Sequence, residues 1–103
     1  MSLDVAILGD DGRPEAEIHI SARIHGALMS RVMQSESPLL ARMSDYYGDV
    51  DYATMEVALL LDELVRLHDD VLHDTELNLL VEELILLAKA AVRVRTGLAV
   101  IAD

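Results

Sequence analysis

Apolar and polar residues alternate at both ends of the chain and recur every three or four positions between them. Leu3, Val5 and Ile7 are separated by Asp4 and Ala6, and Ile18 and Ile20 alternate with Glu17 and His19. A period of two marks strands with one buried face. Between the runs, Gly9-Asp10-Asp11-Gly12-Arg13-Pro14 is dense in residues that permit or stabilise turns. Residues 3–7 and 17–20 therefore read as the strands of a β-hairpin. At the other end, Thr96-Gly97 precedes Leu98–Ile101, which reads as a short third strand. A lone hairpin is marginal in water, so this strand is expected to pair beside the first.

In the middle the period lengthens to that of helices. Ser21 suits an N-cap, and Ile24, Leu28 and Val32 carry a helix to about Met33. Gln34 to Ser37 interrupts it. Ser37-Pro38 starts another, with Pro at the first helical position and Leu39, Leu40 and Met43 apolar, and Gly48 closes it just after Tyr46-Tyr47. Asp51 or Thr54 opens the next helix, which runs to about His73. Its apolar stripe is Val57, Leu60, Leu61, Leu64, Leu67 and Val71, opposite Glu56, Glu63, Arg66, Asp70 and His73. Asp74-Thr75 caps the last helix, from about Glu76 to Arg95. Leu77, Leu80, Leu84, Leu87, Ala91 and Val94 form its seam, while Leu79, Leu86 and Ala90 add a second apolar face, the pattern of a helix packed between neighbours. The Leu60/Leu64 and Leu80/Leu84 seams are expected to meet in the core. The whole describes an α+β fold in one domain over residues 1–103. It has an N-terminal β-hairpin (3–20), three to four helices (22–95) and a short C-terminal strand (98–101) completing a small sheet, with the helices on one face.

Composition narrows this picture. At 103 residues and 52% apolar, the chain can bury one core and is short for two. It has no Phe, Trp or Cys, so the core is aliphatic, and disulfides, thiol catalysis and iron–sulfur ligation are excluded. Nineteen acids against eight bases give a net charge of −11, which repels nucleic acid and anionic membrane and favours a cationic partner. The charge is concentrated. Between Asp45 and Glu83 lie twelve acids and one base, Arg66. The most apolar stretch, Leu77 to Val94, carries Glu82, Glu83, Lys89 and Arg93, too many charges for a membrane span. Met1-Ser2-Leu3-Asp4 lacks the basic start of a signal peptide, so the reading is a cytoplasmic protein.

Catalytic chemistry has little support in the pattern. The Gly9–Gly12 turn is not followed by a helix and is no phosphate loop, and neither Gly-x-Ser-x-Gly nor His-Glu-x-x-His occurs. Asp45 to Glu56 resembles a calcium loop at its ends but has Val50 where the sharp turn needs Gly. His68, Asp69, Asp70, His73 and Asp74 are the densest potential metal ligands, yet no third ligand from elsewhere is identifiable, and they read as a solvated helix end. His19 and His25 read as surface residues. No catalytic residue, metal or cofactor is assigned, and the protein is not expected to be an enzyme.

The tyrosines point elsewhere. The chain's aromatic residues are Tyr46, Tyr47 and Tyr52, all inside the acidic block. Tyr supplies stiff contact area with a polar tip and is enriched at interface hot spots, and interleaved carboxylates select a Lys/Arg-rich partner. The candidate partner-binding set is Asp45, Tyr46, Tyr47, Asp49, Asp51, Tyr52, Glu56 and Glu63.

A Tyr-Tyr pair among acids resembles that of the colicin-nuclease immunity proteins, where such a pair occupies toxin-binding anchor positions similar to Tyr46-Tyr47 here. The match covers a few residues. Those proteins are four-helix bundles with no counterpart of the 3–20 hairpin or the 98–101 strand. The wider comparison is with the diverse immunity proteins of polymorphic and contact-delivered toxin systems, which share size and acidity rather than a motif. The resemblance implies a stoichiometric inhibitor, monomeric or weakly homodimeric, whose partner is a cognate toxin domain, basic and often a nuclease. The alternative drawn from the residues alone is a small homodimeric structural or adaptor domain associating through apolar helices.

Overall fold

The alternating run at the N-terminus becomes the strand that organises the sheet. In the computed structural model, which describes residues 2–102, β1 (Leu3–Leu8) pairs antiparallel with β2 (Pro14–Ile20) on one side and β4 (Leu98–Ala102) on the other. A further strand, β3 (Val50–Tyr52), pairs antiparallel with β4, giving a four-stranded sheet of order β2-β1-β4-β3. Between β2 and β3 lie α1 (Ala22–Gln34) and the single turn α2 (Pro38–Ala41), and between β3 and β4 lie α3 (Thr54–Asp70) and α4 (Thr75–Arg93). The fold is α+β, with the hairpin and C-terminal strand where the alternation places them.

Leu3, Val5, Ile7, Ile20, Leu98 and Val100 turn toward the helices and join one apolar cluster with Leu28, Leu40, Leu60, Leu64, Leu80 and Leu84. The intervening positions, Asp4, Ala6, Glu17, His19, Ala99 and Ile101, occupy the opposite face, as the pleat requires. The Leu60/Leu64 and Leu80/Leu84 seams meet in this core. Asp74 caps α4, its Oδ1 accepting the Leu77 amide at 3.2 Å.

Four expectations are corrected. The helix expected from Pro38 to Tyr47 is helical only over Pro38–Ala41. Past Met43, the Asp45 carboxylate accepts the Tyr47 amide at 2.9 Å and its carbonyl accepts the Gly48 amide at 3.1 Å. This local Asx turn competes with helix continuation and frees Val50–Tyr52 to become β3, which is too short to show a period. The helix from Thr54 ends at Asp70 rather than His73. The last helix ends at Arg93, and Arg95 then takes a left-handed conformation with φ 57°. Finally, α4 is not enclosed on all sides, because Leu79 and Leu86 are exposed.

Candidate partner-binding surface

The eight residues proposed as a single surface separate into an outward and an inward group. Asp45, Tyr47, Asp49 and Asp51 are exposed, Tyr46 and Glu56 are half-buried, and Tyr52 and Glu63 are buried. The segment from Asp45 to Asp51 runs from the Asx turn into β3, at one edge of the sheet. Within it Tyr47 is 70% exposed. Its ring meets that of Tyr46 edge-on, with centroids 5.4 Å apart. Tyr46 in turn leans on the His25 ring at 5.1 Å, and its hydroxyl donates to the Ile20 carbonyl at 3.4 Å. Adjacent side chains thus take different roles, one packed and one presented.

His25 is not the surface residue the sequence suggested. It is buried, and its Nε2 lies 2.7 Å from the Met43 carbonyl. A carbonyl only accepts, so Nε2 carries the proton. This bond holds the chain after α2 against α1 and so supports Tyr46.

The acids around Tyr47 are both charges and braces. Asp45 Oδ1 takes the Tyr47 amide, which fixes the ring's point of departure, and Asp49 Oδ1 accepts the Ala102 amide at 2.8 Å, tying the loop to the end of β4. Asp51 faces outward from β3. Among the described residues, no basic side chain lies within ion-pair distance of Asp45, Asp49 or Asp51. Their carboxylates are therefore screened mainly by solvent ions, with Arg42 on the Asp51 carbonyl the neighbouring cation.

The inward group has a different chemistry. Glu63, expected on the solvent stripe, is only 4% exposed. Its Oε2 and Oε1 accept the amides of Leu39 and Leu40 at 3.1 and 2.9 Å, satisfying the first turn of α2. Tyr52 is buried against the core and donates its hydroxyl to the Leu39 carbonyl at 2.6 Å; burial pushes that hydroxyl well above the ordinary tyrosine range. Glu56 Oε1 accepts the Ala53 amide at 2.9 Å, and Oε2 accepts from Arg42 at 2.8 Å. The Ala53 amide holds its carboxyl below the usual range; burial opposes this, and the Arg42 guanidinium reinforces it.

Arg42 is the residue that sequence reasoning missed. It lies just before the acidic block, yet it folds back to pair with Glu56, to donate to the Asp51 carbonyl at 2.8 Å, and to stand 4.9 Å over the Tyr52 ring. No periodicity marks it, because the contacts are made across a turn and a strand. Arg23 likewise reaches from α1 to pair with Glu76. The block is thus partly neutralised from outside, which leaves the Asp45–Asp51 segment as its uncompensated aromatic part.

The His68–Asp74 cluster does not assemble. His68 Nε2 faces Glu82 at 3.3 Å, whereas Asp70, His73 and Asp74 line an open cleft with Arg31. Among the described residues the carboxylate–imidazole group close enough to share an ion is Asp4, Glu17 and His19. No helix among the described residues is long and apolar enough to cross a membrane.

No protein-family model matches the chain, and comparison with curated proteins and with solved structures gives no match.

Proposed function

We propose that this protein is an immunity-type inhibitor that acts in the cytoplasm by binding and neutralising a cognate bacterial toxin domain with a basic surface. The observation that carries the reading is Tyr47, 70% exposed and braced edge-on by Tyr46, amid the unpaired charges of Asp45, Asp49 and Asp51. A stiff ring costs little entropy to immobilise and serves as a hot spot, while surrounding carboxylates steer a cationic surface toward it. Tyr46, half-buried, positions the anchor. Tyr52 and Glu63 contribute through the fold.

The test begins with the partner captured by the wild-type chain from its native cell. Expressed alone, that partner is expected to be toxic, and co-expression of this chain is expected to rescue growth. Tyr47→Ala should raise the dissociation rate, weakening the complex by about 2 kcal/mol. Asp51→Asn should slow association at low salt, with the difference shrinking as salt rises. A harmless partner overturns the immunity reading. Unchanged rates in both well-folded variants overturn the assignment of the surface.

A second reading has its own observation. On α4, Leu79 and Leu86 are 57% and 67% exposed and stand seven residues apart on one line, as an association seam would. A homodimer through this face predicts a doubled solution mass that Leu86→Asp returns to the monomer. In an antiparallel pairing of Leu79 with Leu86 of the second copy, Glu82 would meet Glu83 of that copy and Glu83 its Glu82, which disfavours that arrangement.

A further inference from the structure

The outer face of the sheet carries a second cluster that the partner-binding reading does not use. The alternation Glu17-Ile18-His19-Ile20 sends Glu17 and His19 outward while Ile18 and Ile20 face the helices. In the β1–β2 register Asp4 stands opposite His19 and Ala6 opposite Glu17. Across from Glu17 there is therefore only a methyl group, and the longer side chain can lean along β2 toward the imidazole.

The outcome is a ring held between two carboxylates. His19 Nδ1 is 2.7 Å from Asp4 Oδ1, and Nε2 is 3.6 Å from Glu17 Oε1. One donor atom from each of the three side chains lies within 4.8 Å of the others. A neutral imidazole has one N–H and one lone pair. Asp4 Oδ1 also takes the Ser2 hydroxyl at 2.6 Å, so toward His19 it stands as an acceptor. The ring proton therefore belongs on Nδ1, which turns the Nε2 lone pair toward a second carboxylate. Nε2 and Glu17 Oε1 face each other at 3.6 Å, and either a second ring proton or a metal cation joins them. A nitrogen and an oxygen sharing one tetrahedral zinc-class ion stand roughly 3.3–3.5 Å apart, close to the distance here. A carboxylate on the other ring nitrogen is the usual partner of a metal-bound histidine, fixing tautomer and orientation.

We propose that His19 Nε2 and Glu17 bind a divalent transition-metal cation of the zinc class on the outer face of the sheet, with Asp4 orienting the imidazole. Two side-chain ligands leave coordination positions for water, so the ion is exchangeable. Imidazole with carboxylate, and no thiol anywhere in the chain, selects Zn²⁺, Co²⁺ or Ni²⁺ over Ca²⁺ or Cu⁺.

The experiment is a titration of the full-length, metal-stripped protein with Zn²⁺, followed by calorimetry and by the imidazole resonances of His19, His25, His68 and His73. The expected result is one equivalent bound, with the His19 signals shifting first. Glu17→Gln and His19→Ala should each weaken binding at least tenfold, and Asp4→Asn should weaken it less. His73→Ala and His68→Ala should bind like the parent. Glu17 and His19 are exposed, so their variants are expected to fold, and circular dichroism checks this. Three outcomes overturn the proposal: no stoichiometric binding, binding that follows His68 or His73, or a His19 that titrates with protons alone and ignores Zn²⁺.

Discussion

Two stretches of the acidic region use the same residue types to opposite ends. From Asp45 to Asp51, a tyrosine and its carboxylates stand in solvent, whereas at the junction of α2, β3 and α3 another tyrosine and another carboxylate are buried. Tyr47 is 70% exposed and Tyr52 is 2%. Asp51 has water around its charge, while Glu63 spends its charge on the Leu39 and Leu40 amides. A carboxylate can leave water only where donors replace its hydration. The first turn of α2 supplies Glu63 with two such donors, whereas Asp45 and Asp49 each accept one amide and Asp51 stands in solvent. Acidic, aromatic composition therefore says that contacts will be made; whether they are made with the chain itself or with a partner depends on which backbone groups lie within reach.

The contrast is most easily broken by truncating the two rings. Tyr52→Ala should cost about 3–5 kcal/mol in chemical denaturation, as removal of a buried aromatic does, while Tyr47→Ala should stay within about 0.5 kcal/mol. Equal losses would mean that Tyr47 covers core after all, and the outward group would lose its anchor.

Glu63 comes next. Glu63→Ala strands two amides, and the midpoint of urea unfolding should fall by the equivalent of about 2–4 kcal/mol. Glu63→Gln keeps one acceptor oxygen and should lose less. A neutral Glu63→Ala would return this residue to the solvent stripe on which its spacing places it.

A finer cut is Tyr52→Phe, which keeps the ring and deletes the 2.6 Å bond to the Leu39 carbonyl. The expected loss is about 1 kcal/mol, seen as a small drop in melting temperature with unchanged near-native packing.

The smallest effect lies in acid. Glu56 has a folded-state carboxyl pKa held below its ordinary value of 4.5 by the Ala53 amide and Arg42. Its contribution to stability is present above the unfolded pKa and is lost as pH falls through the folded one, because the unfolded state there binds the extra proton. Glu56→Gln should accordingly flatten the acid limb of the stability curve below pH 4.5 and leave its slope at neutral pH unchanged. An unaltered acid limb would show that the Arg42 bridge is a surface contact without energetic weight.

Much of this architecture was legible in the chain because it depends on local periods. Leu3, Val5 and Ile7 specify a face of β1 whatever lies beside it, and the turn chemistry of Gly9–Pro14 specifies the hairpin. The seams of α3 and α4 follow from the same logic, since a stripe that must leave water defines its own side of a helix. Residue types also marked Asp45–Asp51 as a surface worth testing. Only the tertiary structure separated Tyr47 from Tyr52, placed Arg42 over that second ring, buried His25 and Glu63, and made a three-residue strand of Val50–Tyr52. It also set Asp4 across from His19, fifteen positions along the chain. Each of these depends on a polar group finding its partner across a strand or a turn. Such a partner is chosen by distance in the fold, and distance in the fold is absent from any window of sequence.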